Sequence, residues 1–417
     1  MSFVKDESKE VLRFLSGFCK WVLVALVTGA VGGCVGSLFH LSVSHATAFR
    51  AAHPWLLYLL PAAGLVIGLI YHVLHTENKN TNTIIDSIHL GDRVPLALVP
   101  TIYLATVITH LFGGSAGREG AALQIGGSLG NYVGTLLRLD EKDMRIATLS
   151  GMSAVFAALF GTPLTATIFA LEVISVGVIY YSALVPCLVA SLAALQISIF
   201  FGVAPTRFAV AVYPVHAVMV FKVAGLAILC TVVSILFCLS MHHTEHALRK
   251  WIPNDFIRVL VGGAVIVALT LLLGTGDYNG AGMDVITRAI EQGTARPDAF
   301  FWKLLFTAVT LGTGYKGGEV VPCFFVGATF GCVAGSLLGI PAGFAAAVGL
   351  VCVFCGAVNC PLASILLSVE LFGSTELIYF GLACGVAYML SGYFGLYSSQ
   401  KIMYSKLKAE FINIHAK

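Results

Sequence analysis

Charge is what this chain has least of. Lysine plus arginine number 24 and aspartate plus glutamate 21 among 417 residues, so charged side chains make up 11% of the sequence, against roughly 25% in a soluble domain. Hydrophobic residues make up 58% and the mean hydropathy is +0.91. This excludes a soluble globular fold and predicts an all-α polytopic membrane protein whose solvent is the lipid bilayer. The net charge of +3 is too small to attract nucleic acid, and no basic stripe interleaved with aromatics runs along the chain.

Enzyme signatures are scarce as well. There is no H-E-x-x-H. Gly113-Gly-Ser-Ala-Gly117 fits G-x-S-x-G, but no strand precedes it and no His–Asp pair is placed to serve it. Gly312 to Gly317 fits G-x-G-x-x-G without a surrounding β-α-β pattern. Gly274-Thr-Gly-Asp277 has the look of an intramembrane aspartyl protease motif, yet that chemistry needs a second aspartate within a span and none is convincing. No enzyme is expected, and an intramembrane hydrolase is the weakest rival reading. The eleven cysteines fall mostly inside apolar segments, where they act as small hydrophobes and form no disulfide framework. Cys352 and Cys355 make a C-x-x-C in an apolar helix with no second pair. His242, His243 and His246 read as solvated loop residues. Neither a metal nor a cofactor is expected.

Lys5, Lys9, Arg13 and Lys20 precede an apolar run from Trp21 to Phe49, longer than the roughly 7–15 residues of a signal peptide core. It reads as the first span. Lys401, Lys406, Lys408 and Lys417 mark the other end, so both termini are expected on the cytoplasmic side. Further apolar segments fall near 55–74, 94–112, 121–137, 146–175, 178–202, 212–241, 256–273, 299–311, 320–339, 341–358, 361–372 and 376–397. Several are shorter than the roughly 20 residues a full span needs. Short, glycine-interrupted segments predict broken helices, and the 44 glycines let helices pack closely. The polar stretches 75–93, 138–145, 242–258 and 274–298 read as ordinary loops.

The chain also repeats itself. Gly113–Gly130 and Gly312–Phe330 are glycine-rich breaks with charged residues, Arg118 and Glu119 in the first, Lys316 and Glu319 in the second. Gly117, Glu119 and Gly127 map onto Gly317, Glu319 and Gly327 with an offset of 200. Asp86, Pro163-Leu164 and Glu172 map onto Asp284, Pro361-Leu362 and Glu370 with an offset of 198. Two fused homologous halves are expected, residues 1–207 and 208–417. Spacing alone allows parallel or inverted repeats; if each half holds an odd number of spans, the halves must be inverted.

A carboxylate at membrane depth is expensive and points to function. A helix beginning near Gly120 leaves its first N–H groups free and makes an anion site, which glycines allow an ion to approach. The second break offers matching donors around Gly318, Glu319 and Val320, so two helix termini are expected to meet near the midplane. The Glu119 carboxylate can occupy that site itself and leave it on protonation, which couples protons to a mobile anion. The rival is a structural ion pair with Arg118 or Lys316. Glu319 would repel an anion unless protonated; its rival is a salt bridge to Lys316. Glu172 and Glu370 end helices at equivalent positions, which favours a shared structural role.

Taken together, Gly117-Arg118-Glu119-Gly120, the second break before Val321-Pro322 and Gly395-Leu396-Tyr397-Ser398 resemble the three signatures of the CLC anion channels and transporters, over roughly residues 20–405. Gly314 to Val320, GYKGGEV, is most similar to the fluoride-transporting clade, since chloride-type members usually carry an apolar residue at the Glu319 position. The resemblance implies a CLC-type fold of two inverted repeats with broken and re-entrant helices. It implies a homodimer with one pathway per subunit, Glu119 as the gating carboxylate and Tyr397 as a donor to the central anion. Asn80 to Asp86 stands where chloride members have Gly-Ser-Gly-Ile-Pro, which makes Asn82 the substitute ion-facing residue, with Thr81 and Thr83 beside it. Val173 occupies the place of the internal proton glutamate of chloride exchangers, a departure the fluoride clade shares. Ala121 replaces a proline of chloride members, Val321 a hydroxyl residue of some fluoride members, and no nucleotide-binding pair follows Tyr397.

The expected function is fluoride/proton antiport across a bacterial plasma membrane, conferring fluoride resistance. The expected anion-binding residues are Gly117, Arg118, Gly120, Asn82, Thr83, Gly318, Val320 and Tyr397, with Glu119 and Glu319 coupling protons to fluoride. A passive fluoride or chloride channel of the same fold is the main rival. A chloride/proton exchanger and a purely structural membrane protein follow.

Overall fold

The computed structural model describes residues 2–77, 79–211 and 213–417, with side chains from Lys9 onward. Sixteen α-helices account for most of them. The first eight are α1 (Ser2–Ala52), α2 (Leu60–Val73), α3 (Thr81–Leu90), α4 (Leu98–Leu111), α5 (Glu119–Leu136), α6 (Glu141–Phe160), α7 (Pro163–Glu172) and α8 (Leu184–Phe200). The second eight are α9 (Ala217–Trp251), α10 (Asp255–Leu273), α11 (Met283–Glu291), α12 (Ala299–Thr313), α13 (Val320–Leu337), α14 (Ala342–Val358), α15 (Pro361–Phe372) and α16 (Leu377–Leu390). Seven of the described helical segments are long and apolar enough to cross a bilayer, so this is a multi-pass membrane protein. At ~1.5 Å per residue the shortest helices, α3, α7 and α11, cannot cross ~30 Å of hydrocarbon.

Helix pairings recur between the two sets. α1 packs on α4, α6 and α8, and α9 packs on α12, α14 and α16. α5 lies on α6 as α13 lies on α14, while α2 meets α10 and α7 meets α15 across the middle. Missing side chains bring the α5/α6 and α13/α14 backbones together. A Cβ on Gly126 or Gly130 would run into the carbonyls of Gly151 or Ala147, and one on Gly327 or Gly331 into those of Gly349 or Ala345.

Those contacts correct the register read from sequence. α5 and α13 are both 18 residues long, starting at Glu119 and Val320, and Gly117 pairs with Gly318 in an isolated bridge. The offset there is 201 rather than 200, so the counterpart of Glu119 is Val320 and that of Glu319 is Arg118. Aligning glutamate on glutamate favours the wrong register; helix starts and backbone contacts fix the right one. Further on, the offset of 198 holds. Gly161 (φ 71) and Asn359 (φ 57) end α6 and α14 in the left-handed region, and Pro163 and Pro361 open α7 and α15, where a missing N–H costs nothing.

All four stretches read as loops are partly helical, and α6 already begins at Glu141 within 138–145. Thr81–Leu90 and Met283–Glu291 are short amphipathic helices, burying Ile84, Ile85 and Ile88 in α3 and Val285, Ile286, Ala289 and Ile290 in α11. Their polar faces hid them among turn residues. α9 runs on through the three histidines to Trp251. A small sheet closes the other end: β1 (Ser175–Val176) pairs in parallel with β2 (Lys401–Tyr404), and β2 antiparallel with β3 (Phe411–His415). Buried Gln400 donates to the carbonyls of Val173 (3.0 Å) and Val358 (2.9 Å), which anchors the segment carrying Tyr397.

Candidate functional site

The two glycine-rich breaks meet at the molecular centre. Gly117 N–H donates to Gly318 O at 2.7 Å and Gly318 N–H to Gly117 O at 2.8 Å. Both amides are therefore committed to joining the breaks and do not point at an ion, contrary to the sequence expectation for Gly117 and Gly318. Unlike them, the first-turn amides of Glu119, Gly120 and Val320 have no backbone acceptor, the usual state of a helix N-terminus.

Glu119 is fully buried. Its Oε2 accepts from Arg118 N at 2.9 Å and from Val321 N, the second residue of α13, at 3.3 Å. Among the described residues its Oε1 has no hydrogen-bond partner. A carboxylate from one half thus sits on the helix N-terminus of the other, where the helix dipole favours negative charge. Small neighbours make the room: a Cβ on Gly117 would fall on Glu119 Oε2, and one on Gly120 would lie 2.9 Å from Glu319 Oε2. Among the described residues, no carboxylate oxygen stands within 4.0 Å of the Arg118 guanidinium or the Lys316 ammonium. The rival ion pairs of Glu119 with Arg118 or Lys316, and of Glu319 with Lys316, are not formed.

A cavity of about 400 Å³ opens beside this junction, lined at depth by Glu319, Tyr397, Gln124, Thr81, Tyr71 and Lys316. Among the described residues, five polar atoms of its lining lack hydrogen-bond partners: Glu319 Oε2, Tyr397 Oη, Gln124 Oε1, Tyr71 Oη and, at the mouth, Arg258 Nε. Buried polar atoms are rarely left so, and their gathering around one cavity marks it as a polar surface. The mouth carries paired charges, Arg249 with Glu245 at 2.8 Å and Arg258 with Asp255.

Asn82 lines the same cavity, but its amide is engaged: Nδ2 donates to Ser398 Oγ at 3.1 Å, and Oδ1 accepts from Ser399 N at 3.1 Å. It ties the start of α3 to the Tyr397 segment. Thr83 is not part of the lining; its Oγ1 accepts from Asn80 N at 3.2 Å and closes the capping box of α3. Thr81 is the neighbour that reaches inward, accepting from Gln124 Nε2 at 3.2 Å. Val320 is fully buried and contributes its backbone alone. Arg118 is half-buried and stands at the N-cap position of α5, where its side chain makes no capping hydrogen bond.

Sequence reasoning missed Gln124 and Tyr71. Gln124 carried a signal, a lone amide among glycines and apolar residues five positions after Glu119. Tyr71 carried none, ending an unremarked apolar span. His242 is not a loop residue; it lies on α9 and bonds to Gly395 O at 2.8 Å beside the Tyr397 segment.

Set against known proteins, residues 63–392 match the model of the voltage gated chloride channel family. A chloride/fluoride channel protein of Pseudomonas syringae pv. tomato is 38% identical over 411 residues, covering 96% of this chain and 91% of the relative. A CLC-type fluoride/proton antiporter of known structure superposes with a TM-score of 0.89 at 31% identity, covering 92% of this chain and 98% of that one. A slow cyanobacterial Cl-/H+ antiporter superposes with a TM-score of 0.74 at 20% identity, over 89% of this chain and 94% of that one, a likeness of fold.

Proposed function

From the premise that the chain belongs to the voltage gated chloride channel family and has its fold of two inverted helical repeats, we propose that it exchanges fluoride for protons across a bacterial plasma membrane. The observation that carries this reading is the Glu119 carboxylate on the N-terminus of α13, with one oxygen bonded to Val321 N and the other without a partner. Ionised, it fills the site as a tethered anion. Protonated, it loses the attraction that holds it there, and a free anion takes its place on the Val321 and Val320 amides. Proton and anion then use the site by turns.

Fluoride is small and strongly hydrated, and it enters only where strong donors replace its water. The Tyr397 hydroxyl and a protonated Glu319 are the candidate donors in the cavity, both with unpartnered oxygens. Glu319, Val173 and the loss of a serine at the α3 start favour fluoride over chloride. The fluoride/proton antiporter similar to this chain supports the same substrate. An inward proton gradient would drive fluoride out, giving fluoride resistance. We take the halves as 1–207 and 208–417, with the join between α8 and α9, both termini cytoplasmic and two subunits per assembly.

Passive conduction is the second reading, favoured by the Pseudomonas relative, which is described as a channel. Liposomes loaded with fluoride, with efflux and external pH recorded together and no potassium ionophore, separate the two. Uphill fluoride movement driven by an imposed pH gradient establishes exchange. Efflux that needs a separate potassium path and moves no protons establishes a channel. Chloride movement without fluoride movement overturns the substrate.

A further inference from the structure

The cavity is lined by a cation, Lys316, that has no ion-pair partner among the described residues. The backbone N–H of Lys316 donates to Thr109 Oγ1 at 3.3 Å, which fixes where its side chain leaves the chain. Its ammonium stands 4.6 Å from the centroid of the Tyr71 ring. That contact orients the group without occupying its hydrogen-bond donors, and among the described residues none of the three N–H groups has a protein acceptor. The Tyr71 hydroxyl, on a residue only 5% exposed, has no partner either. Both side chains line the cavity. The acids Glu245 and Asp255 make their ion pairs with Arg249 and Arg258 and not with Lys316.

We propose that the Lys316 ammonium and the Tyr71 hydroxyl form an inner loading site for a small monovalent anion, in the cavity that Glu319 and Tyr397 also line. One positive charge and one phenolic donor match a single negative charge. An anion resting there has left bulk water before it meets Glu319, so the desolvation is divided into two steps. That the anion is fluoride rests on the function proposed above; the site itself requires only a small monovalent anion.

The test uses the full chain in detergent, titrated calorimetrically with sodium fluoride and with sodium chloride. Lys316→Met is expected to weaken anion binding about tenfold, the range of a hydrogen bond to a charged group, and Tyr71→Phe about threefold, that of a neutral one. Lys316→Arg, which keeps the charge, should stay close to the native chain. In vesicles the same variants should raise the internal anion concentration for half-maximal efflux by the same factors and leave the maximal rate within about twofold, as loss of ground-state binding does. Tyr71→Phe removes one hydroxyl and guards against misfolding of the lysine variant.

Native binding in Lys316→Met overturns the proposal. So does equal loss in the Met and Arg variants, which would mean that the lysine supports the fold and does not hold an anion. A native chain that carries chloride but no fluoride overturns the proposed function alone; the loading site then stands if Lys316→Met weakens chloride binding by the same factor.

Discussion

Two pairs of helix N-termini in this protein each receive a carboxylate, and they differ in how completely. At the α7/α15 contact Glu172 accepts from Leu362 N (3.2 Å) and Ala363 N (2.9 Å), while Glu370 accepts from Leu164 N (3.0 Å) and Thr165 N (2.8 Å). Each half caps the other, and every carboxylate oxygen has a partner. At the α5/α13 contact the exchange is one-sided. Glu119 reaches the second helix, but its counterpart, Val320, has no side-chain oxygen to return, and Glu119 Oε1 is left bare. The same physics, a negative charge on a helix dipole, closes one contact and leaves the other unfinished. The contact that keeps the symmetry is closed; the one that breaks it, beside a cavity, is where we propose that a mobile ion binds.

Removing the unfinished carboxylate tests this contrast most severely. Glu119→Gln is expected to reduce proton-coupled fluoride movement by about two orders of magnitude or more, the scale on which a positioned proton carrier acts, with little change in melting temperature. The measurement is simultaneous fluoride and proton flux from liposomes; uphill exchange by this variant would remove Glu119 from the mechanism.

Glu172→Ala should do the opposite. It strips two helix-start amides, Ala363 N buried and Leu362 N part-buried, of their acceptor and should cost about 1–3 kcal/mol of stability, read as an earlier thermal or denaturant transition, while transport per folded protein is preserved. A large transport defect at native stability would show that the two contacts are not divided as described.

Asn82→Ala sharpens the comparison inside the cavity. If Asn82 acts as a tether for Ser398 and Ser399, its loss loosens the Tyr397 segment and lowers maximal turnover severalfold, about what one or two neutral hydrogen bonds contribute. Half-saturation should barely move. A selective rise in half-saturation would return Asn82 to direct contact with the ion. The smallest effect belongs to Thr83→Ala, a lost cap of about 1 kcal/mol visible in the stability of the purified protein and absent from fluoride affinity.

The difference between what could and could not be read in advance follows the same line. Short apolar segments, glycine clusters and isolated charges reflect the bilayer's demand that backbone groups be satisfied and charges be few. That demand acts on each segment separately, so it is written locally, and it was legible at Glu119, Glu319 and the paired Glu172 and Glu370. The amphipathic α3 and α11 escaped because their polar faces look like loops when the apolar face has no visible partner. Register escaped too: an offset of 200 puts glutamate on glutamate, and only the Gly117–Gly318 bridge and the Gly126–Gly151 and Gly327–Gly349 contacts establish 201.

From its sequence alone the chain was determined to be a membrane protein of two repeated halves with broken helices and buried carboxylates, because hydropathy and spacing are properties of residues in order. Tertiary structure alone decided which donors stay free. Gly117 and Gly318 bind each other, Thr83 turns to its own helix, Asn82 holds Ser398 and Ser399, and Gln124, Tyr71 and Lys316 arrive at the cavity from three separate helices or their ends. Whether a polar group is satisfied depends on what folding brings within 3.5 Å of it, and that is fixed only when the halves close on one another.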